Sequence, residues 1–218
     1  MQDPSWQRTL IDRLVADAQP VRRLWRPEIR LLLWLGVVVL GLILPAAGVL
    51  RADLSLRLRA PGFLLEEGAM VVSATLLGLA ALRAAVPGRD PGRSTVLVAL
   101  AALAVVGVML LSQPVHHGWT AETFVDVGMR CLVRSFVWAA LPLALLLVAL
   151  RRGAAVAPWR VGAMAGVAAW GLTFVAVRMC CQTDELLHLG VFHALPLVVG
   201  TAATAGLAPL VLGSWHAR

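Results

Sequence analysis

Residues 29–50 read IRLLLWLGVVVLGLILPAAGVL, a stretch in which Arg30 is the sole charged side chain. A helix needs about 20 apolar residues to cross the hydrocarbon core of a bilayer, and in lipid the backbone must satisfy its own hydrogen bonds. The stretch therefore reads as a membrane-spanning α-helix. Comparable runs recur at 64–86, 94–112, 131–150, 160–179 and 190–213. The 218-residue chain is 60% hydrophobic and 14% charged, with mean hydropathy +0.83, more apolar than a soluble fold can bury. The predicted fold class is all-α: an integral membrane bundle of six transmembrane helices.

Charge orients the bundle. All 19 basic residues are arginines and the formal charge is +7, but the arginines flank the apolar runs instead of forming one patch, so topology explains them better than nucleic acid does. Arg8, Arg13, Arg22, Arg23, Arg26 and Arg30 precede or open the first span. Arg83, Arg89 and Arg93 lie in the second connection, Arg151, Arg152 and Arg160 in the fourth, and Arg218 ends the chain on the same side. On the other side Arg51, Arg57, Arg59, Arg130, Arg134 and Arg178 are diluted by Glu66, Glu67, Glu122, Asp126, Asp184 and Glu185. The excess of arginine predicts that both termini are cytoplasmic. About 28 residues, largely polar and rich in arginine, precede a first run of full spanning length, which predicts a retained anchor rather than a cleaved signal.

The sequence divides into a cytoplasmic tail, 1–28, and a six-helix domain, 29–215. In the tail Asp3-Pro4 suits a helix start, and Trp6, Leu10, Leu14 and Ala18 recur every four residues to make one apolar stripe. Pro20 ends that helix, and Val21 to Arg26 is a basic connector. The sizeable outer loops are expected at 51–63 and 113–129. Pro45, Pro142, Pro196 and Pro209 fall inside apolar runs, where neighbouring helices can satisfy freed carbonyls. Gly162 with Gly166, and Gly200 and Gly206, suit close helix packing.

Chemistry concentrates at the outer face. Cys131 opens the fourth run while Cys180 and Cys181 close the fifth, so antiparallel neighbours bring these thiols to one depth. In an oxidising compartment Cys131 can pair with Cys181 or with Cys180 if the Cα atoms come within about 7 Å, whereas a vicinal bridge is strained. Buried cysteines also serve simply as small apolar fillers. Arg130, Arg134 and Arg178 lie near the thiols, and cations favour the thiolate that oxidants and soft metals attack. His116, His117, His188 and His193 are candidate metal ligands on the same side, although no spacing among them matches a known metal motif. No nucleotide-binding loop, metalloprotease helix, nucleophile elbow or membrane-buried acidic pair is evident, so no enzymatic activity and no resident cofactor are expected.

Three segments carry a resemblance. They are Leu14-Val15-Ala16-Asp17 with Pro20-Val21-Arg22-Arg23-Leu24, then Met129-Arg130-Cys131-Leu132 with Ser135 and Pro142, and Leu150-Arg151-Arg152-Gly153-Ala154. In order and spacing the chain resembles, over nearly its full length, the six-span NrsF-like membrane anti-sigma factors, negative regulators of sigma F. The resemblance implies a multi-pass protein of the bacterial inner membrane that sequesters an extracytoplasmic-function sigma factor until an envelope signal arrives. The tail residues Trp6, Leu10, Arg13, Leu14, Arg22 and Arg23 would then contact the sigma factor. It also selects Cys181, followed three positions later by Asp184, over Cys180 as the partner thiol. Cys131 and Cys181 become the sensing pair, through a regulatory disulfide or a heavy-metal ion. The chain departs from the family at Phe192-His193, where an aromatic pair is expected, and at Arg178. A homodimer stays open. The competing readings are a heavy-metal or small-solute transporter, suggested by the adjacent Cys180-Cys181, and a membrane thiol oxidoreductase, for which no Cys-x-x-Cys is present.

Overall fold

The computed structural model describes residues 4–16, 24–115, 118 and 120–213. Among them the secondary structure is helical throughout, beginning with α1 (Pro4–Ala16), which carries Trp6, Leu10 and Leu14 of the tail stripe, while Ala18 lies outside the described residues. Then come α2 (Pro27–Ala47), the single turn α3 (Leu54–Arg57), α4 (Pro61–Ala84), α5 (Arg93–Leu111), α6 (Ala121–Arg151) and α7 (Pro158–Arg178). The last crossing is composite, with α8 (Leu186–Leu189), a π-helical turn (Gly190–Ala194) and α9 (Leu195–Leu212) running on as one helix. Six helices, counting this composite as one, are long and apolar enough to cross a membrane. Prolines begin α2, α4 and α7, where a missing N–H costs nothing because the first turn has no intrahelical acceptor for it.

The bundle is built around α7, which is buried along most of its length and flanked by α4, α6 and α9. Its small residues explain the position. A methyl added at Gly162 would overlap Ala208, one at Gly166 would press on the Thr201 backbone, and one at Gly200 would overlap the Trp170 ring. Lipid supplies no hydrophobic drive between helices, so such close approach carries the association. Gly206 does not share this role, since nothing lies within 4 Å of an added methyl there; it faces away from the α7 seam.

Elsewhere α2 is tied to α6 by the Trp34 indole, which donates to the Pro142 carbonyl at 2.9 Å. The peripheral helix α5 buries only Ala99 and Val106. Leu32, Leu40, Leu44, Leu111, Val198 and Leu210 are exposed, an outward apolar coat that suits lipid and would be a liability in water.

Two sequence expectations need correction. The segment 113–129, read as an outer loop, is helical from Ala121 onward. Thr120 caps the helix by accepting the Thr123 N–H, and Arg130 pairs with Asp126 one turn away at 3.0 Å. Hydropathy misses this extension because its exposed face is charged. At 31 residues α6 is about 46 Å long, well beyond the roughly 30 Å hydrocarbon layer, so Cys131 lies three turns into a helix instead of at its start. Secondly, Glu66 and Glu67 are both buried near the N-terminal end of α4, contrary to the expectation of no buried acidic pair. Proximity to a span end concealed them, because α4 starts at Pro61 and turns both side chains inward.

Candidate functional site: a buried cluster of thiols and imidazoles

Four of the sequence candidates converge. Cys131 projects from α6, Cys181 from the connector after α7, His188 from α8 and His193 from the π-helical turn. All four are buried, and their ligand atoms lie within 4.8 Å of one another. The Cys131 thiol donates to the Cys181 sulfur at 3.9 Å, and His188 Nε2 lies 3.4 Å from the same sulfur. The hydrogen bond from Cys131, with the His188 and His193 rings close by, holds the Cys181 thiol below its ordinary pKa, against the opposing effect of burial.

The local fold explains how two histidines five residues apart meet. At about 100° per residue, an α-helix would turn positions 188 and 193 roughly 140° apart. The π-helical turn instead hydrogen-bonds Leu195 N–H to the Gly190 carbonyl, and its i→i+5 spacing stacks residues five apart. The rings sit 5.5 Å apart, centroid to centroid. Pro196 follows directly. It lacks the N–H that a regular helix would offer to Phe192 and its ring crowds that carbonyl, which favours the wider turn.

An aromatic cage closes the cluster. Phe124 and Phe192 pack on His188, with centroids at 6.3 and 5.2 Å, and Phe174 meets His193 edge-on at 6.0 Å. Gly128 makes room for this, as a methyl there would overlap the Phe192 ring. Water is excluded and the local dielectric is low.

Beside the cage lies an ionic network. Arg178, fully buried, binds Glu66 at 3.0 Å and Asp184 at 2.7 Å, with Glu67 at 3.8 Å. Arg51 bridges Asp53 at 2.6 Å and Asp184 at 2.8 Å, and Arg57 reaches Asp184 at 2.5 Å. Phe63 packs under the guanidinium groups of Arg51 and Arg178. Asp53 is pulled down to about 2, first by the Arg51 hydrogen bond. Burial pushes the Asp184 carboxyl up, but hydrogen bonds from Arg51 and Arg178 outweigh it and hold the group below its ordinary value. The connector carrying Cys181 is thus clamped at both ends, by Arg178 and by Asp184.

The remaining candidates lie elsewhere. Cys180 turns away from Cys181 toward the Ala46 carbonyl of α2, at 4.0 Å, so the adjacent cysteines do not form a chelating pair. Arg130 pairs with exposed Asp126 and, with Arg134, borders a shallow surface dent. Arg178 is committed to carboxylates. Trp6, Leu10, Arg13 and Leu14 are exposed on α1, while His116, His117, Arg22 and Arg23 lie outside the described residues. Sequence reading missed the Glu66–Arg178–Asp184–Arg51 network, the aromatic cage and the π-helical turn. Pro196 inside an apolar run was the available signal for the last.

Six candidate spans define the class as a multi-pass membrane protein. The chain belongs to the family described as negative regulator of sigma F, whose profile matches residues 14–215. It is accordingly a negative regulator acting on a sigma factor. No curated protein and no solved structure matches the chain.

Proposed function

We propose that this protein is an anti-sigma factor of the bacterial inner membrane. It holds an extracytoplasmic-function sigma factor through α1 and releases it when Cys131 and Cys181 react at the outer face with an oxidant or a heavy metal. Family membership supports the partner class. The observation that carries the sensing is the approach of the two sulfurs to 3.9 Å inside one buried cage, because they belong to separate segments, α6 and the connector after α7.

Arginine distribution supports a cytoplasmic tail, and α1 presents Trp6, Leu10, Leu14, Ile11 and Val15 uncovered, an apolar face of the kind that docks in a groove. A two-electron oxidant would join the two sulfurs, taking two electrons while two protons leave. The bond draws the connector toward α6. That helix runs to Arg151 at the arginine-rich side, where the following chain docks on the end of α4 through Ala154 N–H to the Ala85 carbonyl at 2.9 Å. A change in packing at one end is thereby available at the other, provided the bundle has two packed states.

Co-purification tests the reading. The full chain is expected to retain a sigma factor, and deletion of residues 1–27 to lose it. Cys131→Ser and Cys181→Ser should still bind the sigma factor but not release it on oxidant or heavy-metal treatment. Normal release by both variants would exclude the thiol mechanism.

A further inference from the structure

We infer that Cys131, Cys181, His188 and His193 form a four-ligand centre for one divalent, borderline-soft cation of the zinc and cadmium class. The inference deepens the sensing reading above by naming a complete ligand set in which the two histidines take part equally with the thiols.

Geometry is the first argument. Tetrahedral zinc with sulfur at about 2.3 Å and nitrogen at about 2.0 Å sets sulfurs about 3.8 Å apart, and sulfur and nitrogen about 3.5 Å apart. The sulfurs here are 3.9 Å apart and the Cys181 sulfur is 3.4 Å from His188 Nε2. All four donor atoms fall within 4.8 Å of one another. One ion fits with small side-chain adjustments and no backbone rearrangement.

Charge is the second. Binding expels the two thiol protons, and two thiolates with two neutral imidazoles cancel the charge of a divalent ion. A neutral centre is the set that a cage of Phe124, Phe174 and Phe192 tolerates, since net charge in such surroundings is costly. Softness agrees, because thiolate and imidazole together favour zinc-like ions over magnesium or calcium.

Unmet bonding is the third. Neither ring nitrogen of His193 makes a well-formed hydrogen bond among the described residues, although the ring is buried. A buried imidazole without such bonds is costly, and a metal bond removes the cost at one nitrogen. The π-helical turn places this ring beside His188. With every vertex taken by protein, no position stays open for water or substrate, so the centre is structural or regulatory and not catalytic. It would pin α6 to the segment from Cys181 to His193.

The test uses the full-length chain, purified reduced in detergent, freed of metal and titrated with cobalt(II). The expected result is one equivalent bound, with the intense visible bands of a four-coordinate site and thiolate-to-cobalt charge transfer. Cys131→Ser, His188→Gln and His193→Gln should each lose or shift that spectrum, while Cys180→Ser keeps it. On the unmodified protein, zinc should slow alkylation of two of the three thiols. Absence of cobalt uptake, a six-coordinate spectrum, a spectrum that survives both histidine variants, or alkylation indifferent to zinc would each overturn the centre. None of these readouts involves the sigma factor, so loss of the metal centre and loss of the release mechanism are scored separately.

Discussion

Arg178 shows how one residue sets the energetics of the end of the bundle that holds the thiol cluster. Its guanidinium is out of contact with solvent and is compensated by Glu66 and Asp184. Removing one partner of such a network strands the others in a low dielectric, at a cost of about 3–5 kcal/mol. Arg178→Ala is therefore expected to lower the unfolding temperature in detergent substantially. Arg178→Ala combined with Glu66→Gln should recover part of the loss, because fewer unpaired charges stay buried. Equal destabilisation by the single and double variants would contradict the network. The acidic partners also fix a pH dependence. Asp53 and Asp184 both titrate below their ordinary values, so their contribution is complete above about pH 4 and fades as the pH falls, toward about 2 for Asp53. Amide-exchange protection of residues 179–186 should hold from neutral pH down to about 4 and decline below it.

At the scale of elements, the π-helical turn before Pro196 and the glycine seam between α7 and α9 act independently. Pro196→Ala restores the N–H that lets the turn close as a regular helix, which rotates His193 away from His188. The expected outcome is weaker metal uptake with the Cys131–Cys181 pair still cross-linkable by a short thiol reagent. Unchanged uptake would assign the turn no positional role. In the seam, Gly166→Leu should separate α7 from α9 and destabilise the bundle, while Gly206→Leu, facing open space, should be tolerated within about 0.5 kcal/mol. Thermal unfolding of the two variants side by side makes the comparison.

For the whole molecule, the decisive feature is the separation between an uncovered tail helix and a bundle whose thiol–imidazole cluster and ionic network lie together near the far end of α2. Deleting residues 1–27 removes α1 and, of the bundle, only Pro27 at the start of α2, so the truncated bundle should keep nearly the unfolding temperature of the full chain while losing the sigma factor. A truncation that lowers stability by several degrees would mean that α1 packs on the bundle.

Six apolar runs and their arginine flanks were legible along the chain, because length and polarity in lipid are properties of each segment alone. So was the approximate depth of Cys131 and Cys181, which follows from counting crossings. The tertiary structure decided what depends on rotation and partnership. The turn that follows α7 points Cys181 toward α6 and Cys180 toward α2. A capped extension carrying Glu122, Asp126 and Arg130 lengthened α6 below the notice of hydropathy. A proline-bounded π-helical turn brought His188 and His193 to the same sulfur. Glu66 and Arg178, 112 positions apart in the chain, became one ion pair only once α4 lay against α7. Sequence sets which groups reach a given depth, but the facing of side chains is fixed by packing between helices, which no single segment contains.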